Sequence, residues 1–163
     1  EYAPDYQSAG ITATMEAIKS DFEAAKIPIF LEEDLLLARW KKLVWNIPYN
    51  GLSVVLDART DEIMASPHTR QLAASLMQEV AAGAAACGRV VSDSFIQKML
   101  EHTEKMKPYL TSMKLDFDRA HPLEVEAIFG YPLRMATSLG ADLPLISMLY
   151  HQLKFIDDRL SVG

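Results

Sequence analysis

Trp40-Lys41-Lys42-Leu43-Val44-Trp45-Asn46-Ile47-Pro48-Tyr49-Asn50 carries an apolar stripe and a polar strip at one helical period. Leu36, Trp40, Leu43 and Ile47 step by four, three and four, the spacing of a face turned to a core. Lys42, Asn46 and Asn50 step by four and four. Each step of four on an α-helix returns to the same face with a drift of about 40°. One ammonium and two neutral amides therefore share a strip beside the buried stripe. The pattern predicts a helix from Glu32 to about Leu56, kinked or broken near Pro48, which has no backbone donor.

A lysine held among tryptophans and leucines loses water, and desolvation lowers the pKa of an ammonium. Such a lysine can give a proton near neutral pH. Two amides beside it can hydrogen-bond hydroxyl or carbonyl oxygens without adding charge. The combination suits a small polar substrate whose carbonyl is reduced or protonated. The plainer alternative is that Lys42, like its neighbour Lys41, is a solvated or snorkelling side chain.

Helical signals dominate outward from this stretch. Residues Ala13 to Ala25 read as a helix with Met15, Ile18 and Phe22 on one face, and Ile27-Pro28-Ile29-Phe30 as a short strand. Thr60 reads as the N-cap of a short turn over 61–64. Ser66-Pro67 opens a helix carrying Leu72, Leu76 and Val80, which Gly88 closes. Ser92 caps a helix from Asp93 to Lys107, ended by Pro108, and Tyr109 to Phe117 continues in helix. His121-Pro122 opens a helix to about Leu139 that Gly140 closes, and a last helix runs from Leu143 to Leu160. The expectation is an all-α domain of about seven helices joined by short connections.

The chain has 163 residues, half of them hydrophobic, enough for one domain with its own core. A net charge of −6 and the lack of a basic run speak against nucleic acid. No apolar stretch reaches the about 20 residues that span a bilayer. The single Cys87 cannot form an internal disulfide, which points to a reducing cytoplasm. Glu1-Tyr2-Ala3-Pro4-Asp5 reads as a chain cut into rather than started, so a longer protein is expected.

Several familiar signatures fail. Gly83 and Gly88 have the spacing of a phosphate-binding loop, but Arg89-Val90 follows instead of Lys-Ser or Lys-Thr, and Ala84-Ala85-Ala86 suits a packed helix. No G-x-G-x-x-G occurs, so this chain has no dinucleotide fingerprint. His68, His102, His121 and His151 lie too far apart for zinc-ligand spacing, and no metal is expected. Cys87 reads as a small helix-packing residue. Ser112 and Glu124, twelve residues apart, form a second constellation. Glu124 would stand at the third position of the helix opened by His121-Pro122, where the helix dipole favours an acid, and Ser112 alone reads as a cap.

Trp40-Lys41-Lys42-Leu43 with Asn46 and Asn50 resembles the opening of the C-terminal domain of the ketopantoate reductase (2-dehydropantoate 2-reductase) family. A second anchor is Thr111-Ser112-Met113 through Asp116 to Glu124-Val125-Glu126 and Gly130. Gly140-Ala141-Asp142-Leu143-Pro144 with Leu149-Tyr150 is a weaker third. The resemblance covers about Glu32 to Ile156. It implies that Lys42 is the general acid, that Asn46, Asn50 and Ser112 bind the substrate, and that Glu124 lies near the lysine and the nicotinamide end of NADP. It also implies that residues 31–163 form the helical substrate and dimerisation domain. Residues 1–30 would be a remnant of, or linker from, a missing N-terminal dinucleotide-binding domain, without which the chain should not turn over. A homodimer and a small 2-keto acid substrate follow from the same resemblance. Leu123 departs from a common threonine, Thr60 from an asparagine found in some members, and Trp45 is bulky before Asn46. These departures leave open a different 2-keto acid. The rival of another class is a non-enzymatic helical interaction module.

Overall fold

The computed structural model describes residues 10–160, and the reading of Glu1 to Asp5 lies outside them. The expected all-α class holds: the described residues form eight α-helices and one wide helical turn, with no strand. The chain divides into two units, Glu1–Arg39 and Trp40–Gly163.

In the first unit, Thr12 Oγ1 accepts the N–H of Met15 at 3.3 Å and starts α1 (Ala13–Ala24). The expected apolar face is not buried, with Ile18 46% and Phe22 41% exposed. The expected strand over Ile27 to Phe30 does not form. Pro28 lacks a donor, and no partner strand exists among the described residues.

Helix α2 (Leu35–Val55) begins three residues later than Glu32, because the Asp34 carboxylate accepts the N–H of Leu37 at 3.0 Å and fixes the start. It runs unbroken through Pro48. The missing N–H is outweighed by packing, since Val44, Ile47, Tyr49, Leu52 and Val54 on both sides of the proline are buried. Helix α3 is Thr60–Ala65. Its N-cap is Arg59, not Thr60; the Arg59 N–H donates to Glu62 Oε2 at 2.8 Å. Thr60 is buried, and its N–H and hydroxyl both donate to the Tyr109 carbonyl at 3.2 Å.

Helix α4 (Pro67–Ala86) has Pro67 at its first position as expected, although the Ser66 hydroxyl makes no capping bond. It closes with the Arg89 N–H on the Ala84 carbonyl at 2.8 Å, which requires the left-handed Gly88, φ +72°. Helix α5 (Asp93–Lys105) is capped by Ser92, whose Oγ accepts the N–H of Phe95 at 3.2 Å. Helix α6 (Ser112–Asp118) is shorter than the expected Tyr109–Phe117 run, because Thr111 Oγ1 caps the N–H of Lys114 at 3.2 Å.

No helix begins at His121-Pro122. Helical backbone resumes at Val125, widens to π spacing over Glu126–Gly130, and continues as α7 (Tyr131–Ser138). Pro132 accounts for the widening: it has no N–H, and its ring would crowd the Ile128 carbonyl four residues back in a normal turn. The Tyr131 N–H reaches back to the Glu126 carbonyl instead. Gly140, φ +90°, ends α7 as expected, and α8 (Pro144–Leu160) completes the second unit. The core of that unit holds Trp40, Ile47, Tyr49, Leu76, Met77, Phe129, Ile146 and Leu153.

Candidate functional site

The second half of α2 is fastened to the segment that leads into α6. The Trp45 indole N–H donates to Thr103 Oγ1 at 3.1 Å, and its ring lies 5.1 Å from Tyr49 and 6.2 Å from Tyr109, centre to centre. One turn on, Asn50 is 2% exposed, and its Oδ1 accepts the N–H of Met113 at 3.3 Å. The hydroxyls of Ser53 and Thr111, both fully buried, are 2.7 Å apart. Ser112 stands between the capping Thr111 and the bonded Met113, at the first position of α6, with its own side chain exposed. The structure thus brings Asn50 and Ser112 to one place, 62 residues apart in sequence.

Asn46 is half-buried one turn before Asn50, and Lys42 is exposed one turn before that. The expected desolvation of Lys42 is not supplied by the described residues. A helix turns about 100° per residue, so Trp40 and Trp45 point into the protein and leave Lys42 outside. Glu124 is also exposed. It is not at the third position of a helix; it precedes the wide turn, with its carbonyl accepting the N–H of Ile128 at 3.1 Å. Among the described residues no hydrogen bond or ion pair engages the Lys42 ammonium, the Asn46 amide, the Ser112 hydroxyl or the Glu124 carboxylate. These four heads are unengaged, whereas Asn50 has its oxygen committed.

The three departures from the family pattern have structural uses. Thr60 is tied to Tyr109, Trp45 to Thr103, and Leu123 is buried with its N–H on Asp157 Oδ1 at 2.8 Å.

Two charged groups beside this region escaped sequence reasoning. The Lys114 side chain is 6% exposed and pairs with Asp57 at 2.8 Å and, more closely, with Asp118. Burial pulls its pKa down, but the hydrogen bonds it donates to the two carboxylates raise it more, so it lies above the ordinary lysine value. The spacing to Asp118 is a visible i, i+4 signal; the pairing with Asp57 is not. The Glu126 carboxylate accepts from Arg134 and from the Tyr150 hydroxyl, each at 2.8 Å. The Arg134 bond first and the Tyr150 bond second hold it below the usual carboxylate range.

A pocket of about 230 Å³ lies between Lys41 and Lys98, with Ser92, Ser94 and Phe95 in its wall, and contains none of the five candidate residues. The described residues offer no dinucleotide cradle. Among them there is no strand to lead into a phosphate-binding turn, and the left-handed glycines Gly10, Gly88 and Gly140 lie far apart in sequence. No group of His, Cys, Asp or Glu among them could hold a metal, and no helix is long and apolar enough to cross a membrane.

Comparison with known proteins agrees with this architecture. A 2-dehydropantoate 2-reductase from Nostoc sp. (strain PCC 7120) is 62% identical over the whole chain, which covers 51% of that protein. The crystal structure of 2-dehydropantoate 2-reductase from Methylococcus capsulatus superposes with a TM-score of 0.88 at 32% identity, over 93% of this chain and 49% of that one. A dimeric ketopantoate reductase from Staphylococcus aureus gives 0.82 at 26% identity, over 93% and 53%. The chain thus spans about half the length of these relatives. Residues 34–157 match the family described as "Ketopantoate reductase PanE/ApbA C terminal", and the chain belongs to it.

Proposed function

We propose that this chain is the substrate-binding half of an NADPH-dependent reductase that converts 2-dehydropantoate to pantoate. The observation that carries the reading is the junction of Asn50 with the start of α6. It supports a site in which Ser112 stands near Asn50, and in which the cation of Lys42, the amides of Asn46 and Asn50 and the Ser112 hydroxyl would address one small polar ligand. Membership of the family and the 62% identical Nostoc reductase support the same reading.

The dinucleotide would be held by a separate N-terminal domain, of which residues 1–30 would be a remnant or linker, and would supply hydride to the carbonyl carbon. This chain's own residues do the rest. Asn46, Asn50 and Ser112 fix the keto acid by hydrogen bonds, which limits it to one reactive orientation. Lys42 gives its proton to the carbonyl oxygen and stabilises the charge that grows there. Because Lys42 is exposed in this chain, its desolvation falls to the other domain and the bound substrate. Glu124 would face the nicotinamide end. A homodimer like that of the Staphylococcus aureus enzyme is part of the proposal, and exposed Met148 and Phe155 on α8 give it apolar surface to bury.

The test is NADPH oxidation with 2-dehydropantoate by the two-domain protein, beside its Lys42→Ala variant. Turnover that falls by about 10²-fold or more in the variant is expected of a lost general acid. Undiminished turnover would remove Lys42 from the mechanism. NADPH binding without turnover would move the substrate to another 2-keto acid, and a broader panel of such acids would find it.

A further inference from the structure

The side chains that join α2 to α6 have a fixed hydrogen-bond direction. Met113 contributes an N–H, which only an oxygen can accept, so the Asn50 amide is oriented with Oδ1 toward α6. Ser53 Oγ lies 3.1 Å from the Asn50 carbonyl, which can only accept. The single proton of Ser53 is therefore used there, and the 2.7 Å contact with Thr111 must run from Thr111 to Ser53. Thr111 Oγ1 in turn accepts the N–H of Lys114 at 3.2 Å. One directed chain thus links the Lys114 amide, Thr111, Ser53 and the Asn50 carbonyl.

The consequence for Asn50 lies in its other amide atom. Trp40 Nε1 is the fully buried side-chain nitrogen or oxygen without a partner among the described residues. Asn50 Nδ2 is not such an atom, and no protein acceptor engages it. It is therefore not fully sealed from the surface, and it has two protons to give.

We propose that Ser53 and Thr111 are positioning residues that set Ser112 and Asn50 in register for the ligand, and that Asn50 meets this ligand as a donor only. This rests on the function proposed above. The ligand group opposite Asn50 is accordingly an acceptor, a carboxylate or carbonyl oxygen of the keto acid. Neither Ser53 nor Thr111 touches the ligand, since both are fully buried. Their removal costs alignment, not chemistry.

The experiment uses the two-domain reductase with Thr111→Val, Thr111→Ser, Ser53→Ala and Asn50→Asp. Thr111→Val keeps the shape and deletes the hydroxyl. It is expected to raise KM for the keto acid about tenfold, the scale of one misaligned hydrogen bond. It should leave kcat within about threefold and KM for NADPH unchanged. Thr111→Ser restores the hydroxyl and should return KM to the wild-type value. Asn50→Asp still accepts from Met113 but, ionised, cannot donate; because the site is buried, its fold is checked first by its urea midpoint, and the folded variant should lose keto acid binding. Where Thr111→Val does not fold, Ser53→Ala, which removes the other hydroxyl, carries the same comparison. Unchanged KM in a folded Thr111→Val, or equal damage from valine and serine, overturns the positioning role. Full binding by Asn50→Asp overturns the donor assignment. A wild-type protein that reduces no 2-keto acid overturns the functional reading instead, and is told apart because the unmutated enzyme is itself silent.

Discussion

Glu79 caps the helix that begins beside Leu145: its Oε1 accepts the N–H of Leu145 and its Oε2 that of Ile146, each at 2.9 Å. Pro144, the first residue of α8, has no N–H, so these two are the first free donors of the helix. The carboxylate joins α4 to α8 and meets the positive end of the helix dipole. Glu79→Ala should destabilise the chain by about 1–2 kcal/mol, read as a lower urea midpoint at unchanged slope. Glu79→Gln retains one acceptor and should fall between the two. Equal midpoints for alanine and wild type would refute the cap.

Gly83 lets α4 approach α2 closely. A Cβ there would lie 2.9 Å from Trp40 Cη2 and 3.3 Å from the Ala136 Cβ. The indole is 2% exposed and cannot swing aside. Alanine gains about 1 kcal/mol of helix propensity, while overpacking costs about 1–3 kcal/mol. Gly83→Ala should therefore lower Tm by a few degrees; a higher Tm would show that the indole gives way.

Lys114→Met tests the buried ammonium. Removing one partner of a fully buried pair costs about 3–5 kcal/mol. Here the partners Asp57 and Asp118 are 81% and 42% exposed and can return to water. The expected loss is nearer about 1–2 kcal/mol, read by chemical denaturation. A larger loss would mean that the carboxylates stay trapped.

Stability should fall on the alkaline side. Burial pushes the Tyr49 hydroxyl above its ordinary pKa of 10.0, and the two aspartates leave Lys114 above 10.5. Both groups keep their protons in the folded state after the unfolded chain has lost them. Their stabilisation is complete below pH 10.0 and drains away as pH rises through the folded values. A pH series of urea midpoints should decline from there, and more shallowly in Tyr49→Phe. A flat series to pH 11.5, about a unit and a half beyond the free tyrosine value, would contradict it.

The chain by itself should not oxidise NADPH in the presence of 2-dehydropantoate, because the described residues contain no dinucleotide cradle. Robust turnover by these 163 residues would sink the division of labour proposed for the two domains.

Much of the fold was legible because it rests on local chemistry. Ser92, Pro67, Gly88 and Gly140 mark helix ends through backbone geometry that each residue type imposes in any context. The misread boundaries are those where a distant partner intervenes. Thr60 looked like a cap, but the Tyr109 carbonyl claims its hydroxyl. Pro48 looked like a break, but the core on both sides of it carries the helix through. No helix starts at His121-Pro122, where the distant Asp157 carboxylate takes the N–H of Leu123.

The sequence alone determined the all-α class, the spacing of Lys42, Asn46 and Asn50, and the likeness to the ketopantoate reductase family. Periodicity and caps are properties of consecutive residues, so one chain suffices to read them. Only the tertiary structure decided what Asn50 does with its two ends, that Ser53 and Thr111 lock α2 to Ser112, and that Lys42 is left in water. Those outcomes depend on which side chains meet across some 60 residues of chain, and a hydrogen bond at that range leaves no periodic trace in the sequence.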